Sequence, residues 1–145
     1  MQRGRFQILM AVLLVAALVM GGASLTGCSD DDSSVPNELL ATWLLQLFSL
    51  DDGSTTQVAN PADYTVEFMA DETARIKADC NLCNGRFFID GDMLRFGTMA
   101  CTLAACPPGS LDSAFVAALA TTSRYEIVDG RLILYYQGGS LTLAR

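Results

Sequence analysis

Four of the five cysteines lie close enough together in the sequence to act as one chemical group. Cys80 and Cys83 are separated by two residues, and Cys101 and Cys106 by four. This spacing approaches that of a zinc site with four thiolate ligands. The segment Cys80-Asn81-Leu82-Cys83 also has the form of a thiol–disulfide redox centre. The third chemistry open to four thiols is two structural disulfides, and the compartment of the protein decides among the three.

The fifth cysteine, Cys28, ends an N-terminal segment with the pattern of a bacterial lipoprotein export signal. Arg3 and Arg5 provide a positive start, Ile8 to Met20 form an unbroken apolar run, and Leu25-Thr26-Gly27-Cys28 resembles a lipobox cleavage motif. We therefore predict that residues 1–27 are a signal peptide. Cys28 would become the lipidated first residue of the mature protein.

The alternative for this segment is a retained membrane-spanning helix. Phe6 to Gly27 carries no charge and could just cross a bilayer, which needs about 20 residues. Only thirteen of these residues form the strongly apolar run, and Gly21 to Ser24 is a small-residue stretch suited to a peptidase cleft. Ser29 follows the predicted lipid anchor, Cys28. Serine at this position is typical of lipoproteins that are transferred to the outer membrane, so we predict a location on its periplasmic side if the bacterium is diderm. Residues 28–35 are predicted to be an acidic, flexible tether.

Export decides among the cysteine chemistries. Thiols that reach an oxidising compartment usually pair before they meet scarce zinc, which disfavours the metal site. A redox centre places one thiol at a helix N-terminus, whereas the residues after Cys83 read as a turn at Asn84-Gly85 followed by a strand. We therefore predict two disulfides among Cys80, Cys83, Cys101 and Cys106, and the residues alone leave the pairing open. No metal and no cofactor are predicted.

Composition disfavours most classes of catalytic site. Histidine is absent from the sequence, which removes the commonest general base and every Ser-His-Asp or Cys-His arrangement. The acidic groups Asp51-Asp52, Asp71-Glu72 and Asp90-Gly91-Asp92 fall in predicted turns, where Asp usually serves backbone hydrogen bonding. Without Arg3 and Arg5 the chain has sixteen acidic and seven basic side chains, a formal charge of −9 that would repel nucleic acid. No enzyme activity and no nucleic-acid partner are predicted.

Short alternating segments dominate residues 36–145, which we predict to be one domain. Two pairs of segments flank Asp90-Gly91-Asp92 and Asp129-Gly130, where glycine tolerates the positive φ of a tight hairpin turn. The predicted strands are Thr42 to Leu47, Tyr64 to Phe68, Ala74 to Ala78, Arg86 to Ile89, Met93 to Phe96, Tyr125 to Val128, Leu132 to Tyr136 and Leu141 to Leu143.

One helix is predicted after Pro107-Pro108-Gly109, with Ser110 as its cap. Its apolar face would consist of Leu111, Phe115, Ala118 and Leu119. Strands of about five residues joined by tight turns favour antiparallel pairing, because parallel neighbours need longer crossovers. We therefore predict a mainly β fold: a small antiparallel barrel-like or curled sheet with a single packed helix.

Several motifs resemble those of the META domain, or HslJ-like, family of bacterial envelope proteins. Leu40-Ala41-Thr42-Trp43-Leu44-Leu45 is similar to the opening of that family, and Ala78-Asp79-Cys80-Asn81 with Gly85-Arg86-Phe87 resembles its Gly-Cys-Asn signature. Cys101 to Cys106 lies where the family places a Thr-x-Met-x-Cys segment. The resemblance implies a small β-barrel-like domain with a packed helix. It also implies a family without an established common enzymatic activity.

The resemblance also favours one disulfide pairing. Cys80 and Cys106 occupy family-like positions, which implies a bond between them and leaves Cys83 to pair with Cys101. Pairing by strand neighbourhood could instead join Cys80 to Cys101 and Cys83 to Cys106. In either case we expect a lipid-anchored, monomeric envelope protein with a non-enzymatic binding or structural domain, whose partner is an envelope protein or a small apolar ligand. The alternative is a periplasmic thiol–disulfide redox module that uses Cys80 and Cys83.

Overall fold

The structure is a computed structural model that describes residues 35–145. Within these residues the chain forms nine strands, one α-helix and a short 3-10 helix. The strands are β1 (Thr42–Leu50), β2 (Thr55–Gln57), β3 (Tyr64–Phe68), β4 (Thr73–Ala78), β5 (Asn81–Asp90), β6 (Met93–Cys101), β7 (Thr122–Val128), β8 (Arg131–Tyr136) and β9 (Gly139–Ala144). The α-helix, α1, spans Asp112–Ala120, and the 3-10 helix spans Pro61–Asp63. In the described part of the chain, no helix is both long and apolar enough to span a membrane.

Eight of these strands form a closed antiparallel barrel. Each strand from β3 to β8 pairs with the next one in the sequence, and β1 closes the barrel by pairing with β3 on one edge and β9 on the other. β2 is an additional strand that pairs only with the second half of β1. The predicted mainly β fold, an antiparallel barrel with one packed helix, is confirmed.

Large apolar side chains fill the interior of the barrel. Trp43, Phe87 and Phe115 are fully buried, together with leucines from β1, β6, β8 and β9. Tyr64, Val66 and Phe68 on β3 alternate with partly exposed residues, as expected for a strand with one face in the core. Val35, which the sequence places in the tether, is only 8% exposed and packs in the core.

Helix α1 packs against β4, β6 and β8. Phe115, Ala118 and Leu119 provide its buried face. The predicted helical face is therefore correct for three of its four residues. Ser110 is not the N-cap as predicted, because the helix begins at Asp112 and Leu111 occupies the N-cap position without a side-chain cap; the Ser110 hydroxyl accepts a hydrogen bond from the N–H of Asp112 at 3.2 Å.

One local prediction is wrong, and one strand was missed. Asn84-Gly85 is not a turn, because β5 runs without interruption from Asn81 to Asp90 and pairs with β4 through both residues. Gly85 instead permits close strand packing, since a Cβ there would lie 3.0 Å from the carbonyl oxygen of Thr98. The strand β2 was not predicted, because its residues are polar and exposed and show no alternation.

The seam between β1 and β9 leads to a prediction about Gly139. A Cβ at this position would lie 1.9 Å from the backbone oxygen of Ser49, so Gly139→Ala should force the seam apart and destabilise the fold by about 3 kcal/mol. Gly53→Ala is the matched control: its φ is +86° and a Cβ there meets nothing within 4 Å, so we expect a loss of roughly 1 kcal/mol. Denaturant unfolding of both variants measures the difference, and equal losses would contradict the role of this seam.

Candidate functional site

Two disulfides lie at one end of the barrel. Cys80 is bonded to Cys106, with Cα atoms 5.4 Å apart, and Cys83 is bonded to Cys101, with Cα atoms 4.0 Å apart. The predicted pair of disulfides is therefore present, in the arrangement that the family resemblance favoured. We call this end of the barrel the cystine end. Cys28, the predicted lipidation site, lies outside the described residues.

Strand pairing explains the position of each sulfur. Cys83 faces inward on β5, is only 4% exposed, and stands directly opposite Cys101 on β6. Cys80 lies in the two-residue turn between β4 and β5, next to Asp79, whose φ is +55°. Because Cys101 ends β6 and Cys106 follows five residues later, the disulfides attach both ends of the segment 102–106 to the β4–β5 hairpin. We call residues 102–106 the cystine loop.

The side chain of Asn81 holds the middle of the cystine loop. Its Oδ1 accepts hydrogen bonds from the backbone N–H of Ala104 at 2.8 Å and from the hydroxyl of Thr102 at 3.1 Å. Its Nδ2 lies 3.2 Å from both the backbone oxygen of Ala104 and Oδ2 of Asp112. Asn81 is 6% exposed, so these contacts satisfy a buried amide and join the loop to the start of α1.

Two leucines at the cystine end project into solvent. Leu103 lies between the fixed residues Thr102 and Ala104 and is 95% exposed, and Leu82 on β5 is 61% exposed. Thr102 connects them, because its N–H donates to the backbone oxygen of Leu82 at 2.9 Å and its hydroxyl accepts from the N–H of Leu82 at 3.0 Å. We call Leu82 and Leu103 the apolar tip.

This geometry bears on the other two cysteine chemistries. Cys80 lies in a turn and is bonded to Cys106, whereas Cys83 lies in a strand and is bonded to Cys101. The two are therefore not bonded to each other as a Cys-x2-Cys redox pair at a helix N-terminus would be. The four sulfurs are all held in S–S bonds and none is available as a thiolate ligand for zinc.

Three of the acidic residues singled out in the sequence, Asp52, Asp71 and Glu72, form local hydrogen bonds or ion pairs. Asp52 accepts a hydrogen bond from the N–H of Ser54 at 2.8 Å, and Asp71 accepts one from the N–H of Thr73 at 3.1 Å. The hydrogen bonds from Ser54 and Thr73 lower the pKa of the Asp52 and Asp71 carboxyls, respectively. Glu72 forms an ion pair with Arg86 at 2.7 Å. These contacts are typical of turns and sheet surfaces rather than of paired catalytic carboxylates.

Two shallow clefts lie on the outer face of β4, β5 and β6. Their volumes are 460 and 440 Å³, and they share Arg75, Asn84 and Ala100 in their lining. Two arginines line these clefts and each is near a carboxylate, Arg75 at 3.7 Å from Glu67 and Arg86 at 2.7 Å from Glu72.

Comparisons with known proteins agree with the architecture. A family model described as META domain matches residues 37–145. The chain is similar to an NMR structure of a protein from Burkholderia xenovorans, with 24% identity, a TM-score of 0.63, and coverage of 79% of this chain and 90% of that one. A search of curated proteins gives no significant match.

Two further solved structures share the fold at lower identity. One is an NMR structure at 18% identity and a TM-score of 0.55, covering 73% of this chain and 89% of that one. The other is the 1.00 Å crystal structure of a DUF4847 family protein from Bacteroides vulgatus, at 14% identity and a TM-score of 0.52, covering 74% of this chain and 94% of that one. At these identities the likeness concerns the fold alone.

The network around Asn81 leads to a stability prediction. Asn81→Ala should lower the free energy of unfolding by about 1–2 kcal/mol, because Thr102, Ala104 and Asp112 each lose a partly buried hydrogen bond to its amide. Asn84→Ala is the matched control, since Asn84 is exposed on the same strand and should change stability by no more than about 0.5 kcal/mol. Chemical denaturation with the disulfides intact tests this, and similar losses from both variants would contradict the role of Asn81.

A second prediction concerns Asp63, beside the cystine end. The ammonium group of Lys77 donates to its carboxylate at 2.7 Å and lowers the pKa of Asp63 below its usual range. Because the folded-state pKa is lowered, the pair stabilises the fold above the unfolded-state pKa of about 3.9, and this contribution is lost as pH falls through the folded-state pKa. Lys77→Met should therefore raise the pKa of Asp63.

An NMR titration of the carboxyl carbon of Asp63 measures this change. Arg75→Met serves as the control, because Arg75 pairs with Glu67 and should leave the pKa of Asp63 in place. If Lys77→Met leaves that pKa unchanged, the ion pair is not its cause.

Proposed function

Because the chain belongs to the META domain family, we propose that it is an exported, lipid-anchored protein of the bacterial cell envelope whose barrel acts as a non-enzymatic binding module. The observation that carries the proposal is the pair of disulfides Cys80–Cys106 and Cys83–Cys101. Structural disulfides form and persist in oxidising compartments and are rare in the cytosol. The sulfur bonds therefore support the export that the N-terminal sequence predicts.

The anchor would hold the domain near a membrane surface. Cys28 ends the lipobox-like motif, and six residues separate it from Val35, the first residue of the described core. A chain of this length spans at most about 25 Å when fully extended. With Ser29 after the acylated cysteine, the outer membrane of a diderm bacterium is the proposed location, and the domain would lie in the periplasm.

The hydrogen bonds of Asn81 and the exposure of Leu103 support a binding role rather than a catalytic one. The buried polar side chain at the cystine end, Asn81, is committed to hydrogen bonds that fix the cystine loop. The same contacts present Leu103 to solvent in a fixed position. A fixed, exposed apolar group suits recognition, because little conformational entropy is lost when a partner covers it.

Intact-mass measurement of the protein from bacterial membranes tests the proposal. We expect Cys28 to carry a diacyl or triacyl modification and the mass to rise by four hydrogens on reduction, two for each disulfide. Cys28→Ser should abolish acylation and release the domain from the membrane without changing its disulfides. An unacylated cytosolic protein with four free thiols would overturn export and anchoring together.

A further inference from the structure

The cystine end carries an apolar surface that the fold does not use. Leu103 and Leu82 are 95% and 61% exposed, and neither contributes to the buried core. Exposed leucines are ordinary when they are single and mobile. Here two of them are neighbours on backbone that is hydrogen-bonded and covalently fixed.

The rigidity of the apolar tip is the first argument for a binding role. Thr102 and Ala104 are each held by hydrogen bonds, and disulfides fix Cys101 and Cys106 beyond them. Leu103 therefore has little backbone freedom to lose on binding. Preorganised apolar groups of this kind are typical anchors of protein–protein interfaces.

The charges around the apolar tip indicate the chemistry of the partner. Residues 102–111 carry no charged side chain, whereas Asp79 and Asp112 lie at the borders of this end. Neither carboxylate has a salt bridge within residues 35–145. The two basic residues on β4 near Leu82 are each paired with a carboxylate, Lys77 with Asp63 at 2.7 Å and Arg75 with Glu67 at 3.7 Å. An apolar centre with an acidic rim complements an apolar cleft with a basic rim.

The apolar tip and the amino-terminal part of the described chain lie at different ends of the barrel. Residues 38–41 lie at the opposite end of the barrel, where the backbone oxygen of Ala41 accepts from the N–H of Phe68 and Arg145 contacts the backbone oxygen of Glu38. We call this opposite end the amino end. Strand β3 runs from Tyr64, next to the cystine end, to Phe68 at the amino end. Residues 38–41 therefore do not cover the apolar tip.

We propose that the apolar tip, Leu82 and Leu103, is the contact surface for an envelope protein that presents an apolar cleft rimmed by Lys or Arg. This inference rests on the proposed function, in which the domain is a binding module, and it names the surface and the partner chemistry. The leucines enter the cleft, and Asp79 and Asp112 face its basic rim. Leu82 also lines one of the two outer clefts, so that the apolar tip continues into this cleft on the face of β4 and β5.

Site-specific photocrosslinking in isolated envelopes tests the proposal. The full-length chain carries benzoylphenylalanine at position 103 or, as the matched control, at position 128, because Val128 is 47% exposed at the amino end. We expect one protein adduct from position 103 and none from position 128. The crosslinked peptide of the partner should be apolar with Lys or Arg close by, and the yield should fall at about 0.5 M salt, where charges are strongly screened.

Competition links the adduct to the leucine itself. An unlabelled second copy of the chain should suppress the adduct when it carries Val128→Asp but not when it carries Leu103→Asp. We expect the Leu103→Asp copy to compete at least tenfold more weakly, since it loses an anchoring side chain. Both positions are on the surface, so neither change should affect folding.

The remaining outcomes contradict the proposal in distinguishable ways. A lipid adduct, an adduct with a second copy of this chain, or a yield that is insensitive to salt would overturn the partner chemistry. A protein adduct from position 128 alone would overturn the apolar tip as the surface and leave the binding module intact. No protein adduct from either position would overturn both the inference and the proposed binding function.

Discussion

The pairing of β1 with β9 is the constraint on which the rest of the structure depends. It joins residues 44–50 to residues 139–144, so the barrel closes only when the first and last strands meet. Trp43 lies fully buried on β1, and its indole N–H donates to the backbone oxygen of Leu39 at 3.0 Å. The guanidinium carbon of Arg145 lies 4.5 Å from the centre of the indole ring. The turn at residues 36–39, the core and the last residue of the chain are therefore held together around Trp43 and the strands that close the barrel.

The cystine end is stabilised in a different way, by covalent bonds and polar contacts. The two disulfides are nested, because Cys83 and Cys101 lie between Cys80 and Cys106 in the sequence. In the chain-entropy description the inner bond alone would contribute about 3 kcal/mol. Once it has formed, the outer bond closes a much shorter loop and constrains the unfolded chain less. The main effect of Cys80–Cys106 is therefore local: it fixes the cystine loop and the chain leading into α1.

The sequence could predict the elements whose burial alternates, and Tyr64–Phe68 on β3 matches its predicted bounds for that reason. It could not predict β2, whose three residues are all exposed, or the continuity of β5 through Asn84-Gly85. In both cases pairing with a neighbouring strand overrides local preference. Spacing left the disulfide pairing open because it depends on strand register, which sets Cys83 opposite Cys101. Asn81 was known only as part of a motif, since its role depends on a loop more than twenty residues away.

The way the cystine loop is held explains why its surface can be apolar. Its shape depends on the side chains of Asn81 and Thr102 and on two sulfur bonds, and none of these involves the side chain of Leu103. The fold therefore places no demand on the residue type at position 103. A polar residue there would avoid the unfavourable exposure of apolar area to water. Because folding does not require a leucine at this position, replacing Leu103 tests the proposed contact without also testing the fold.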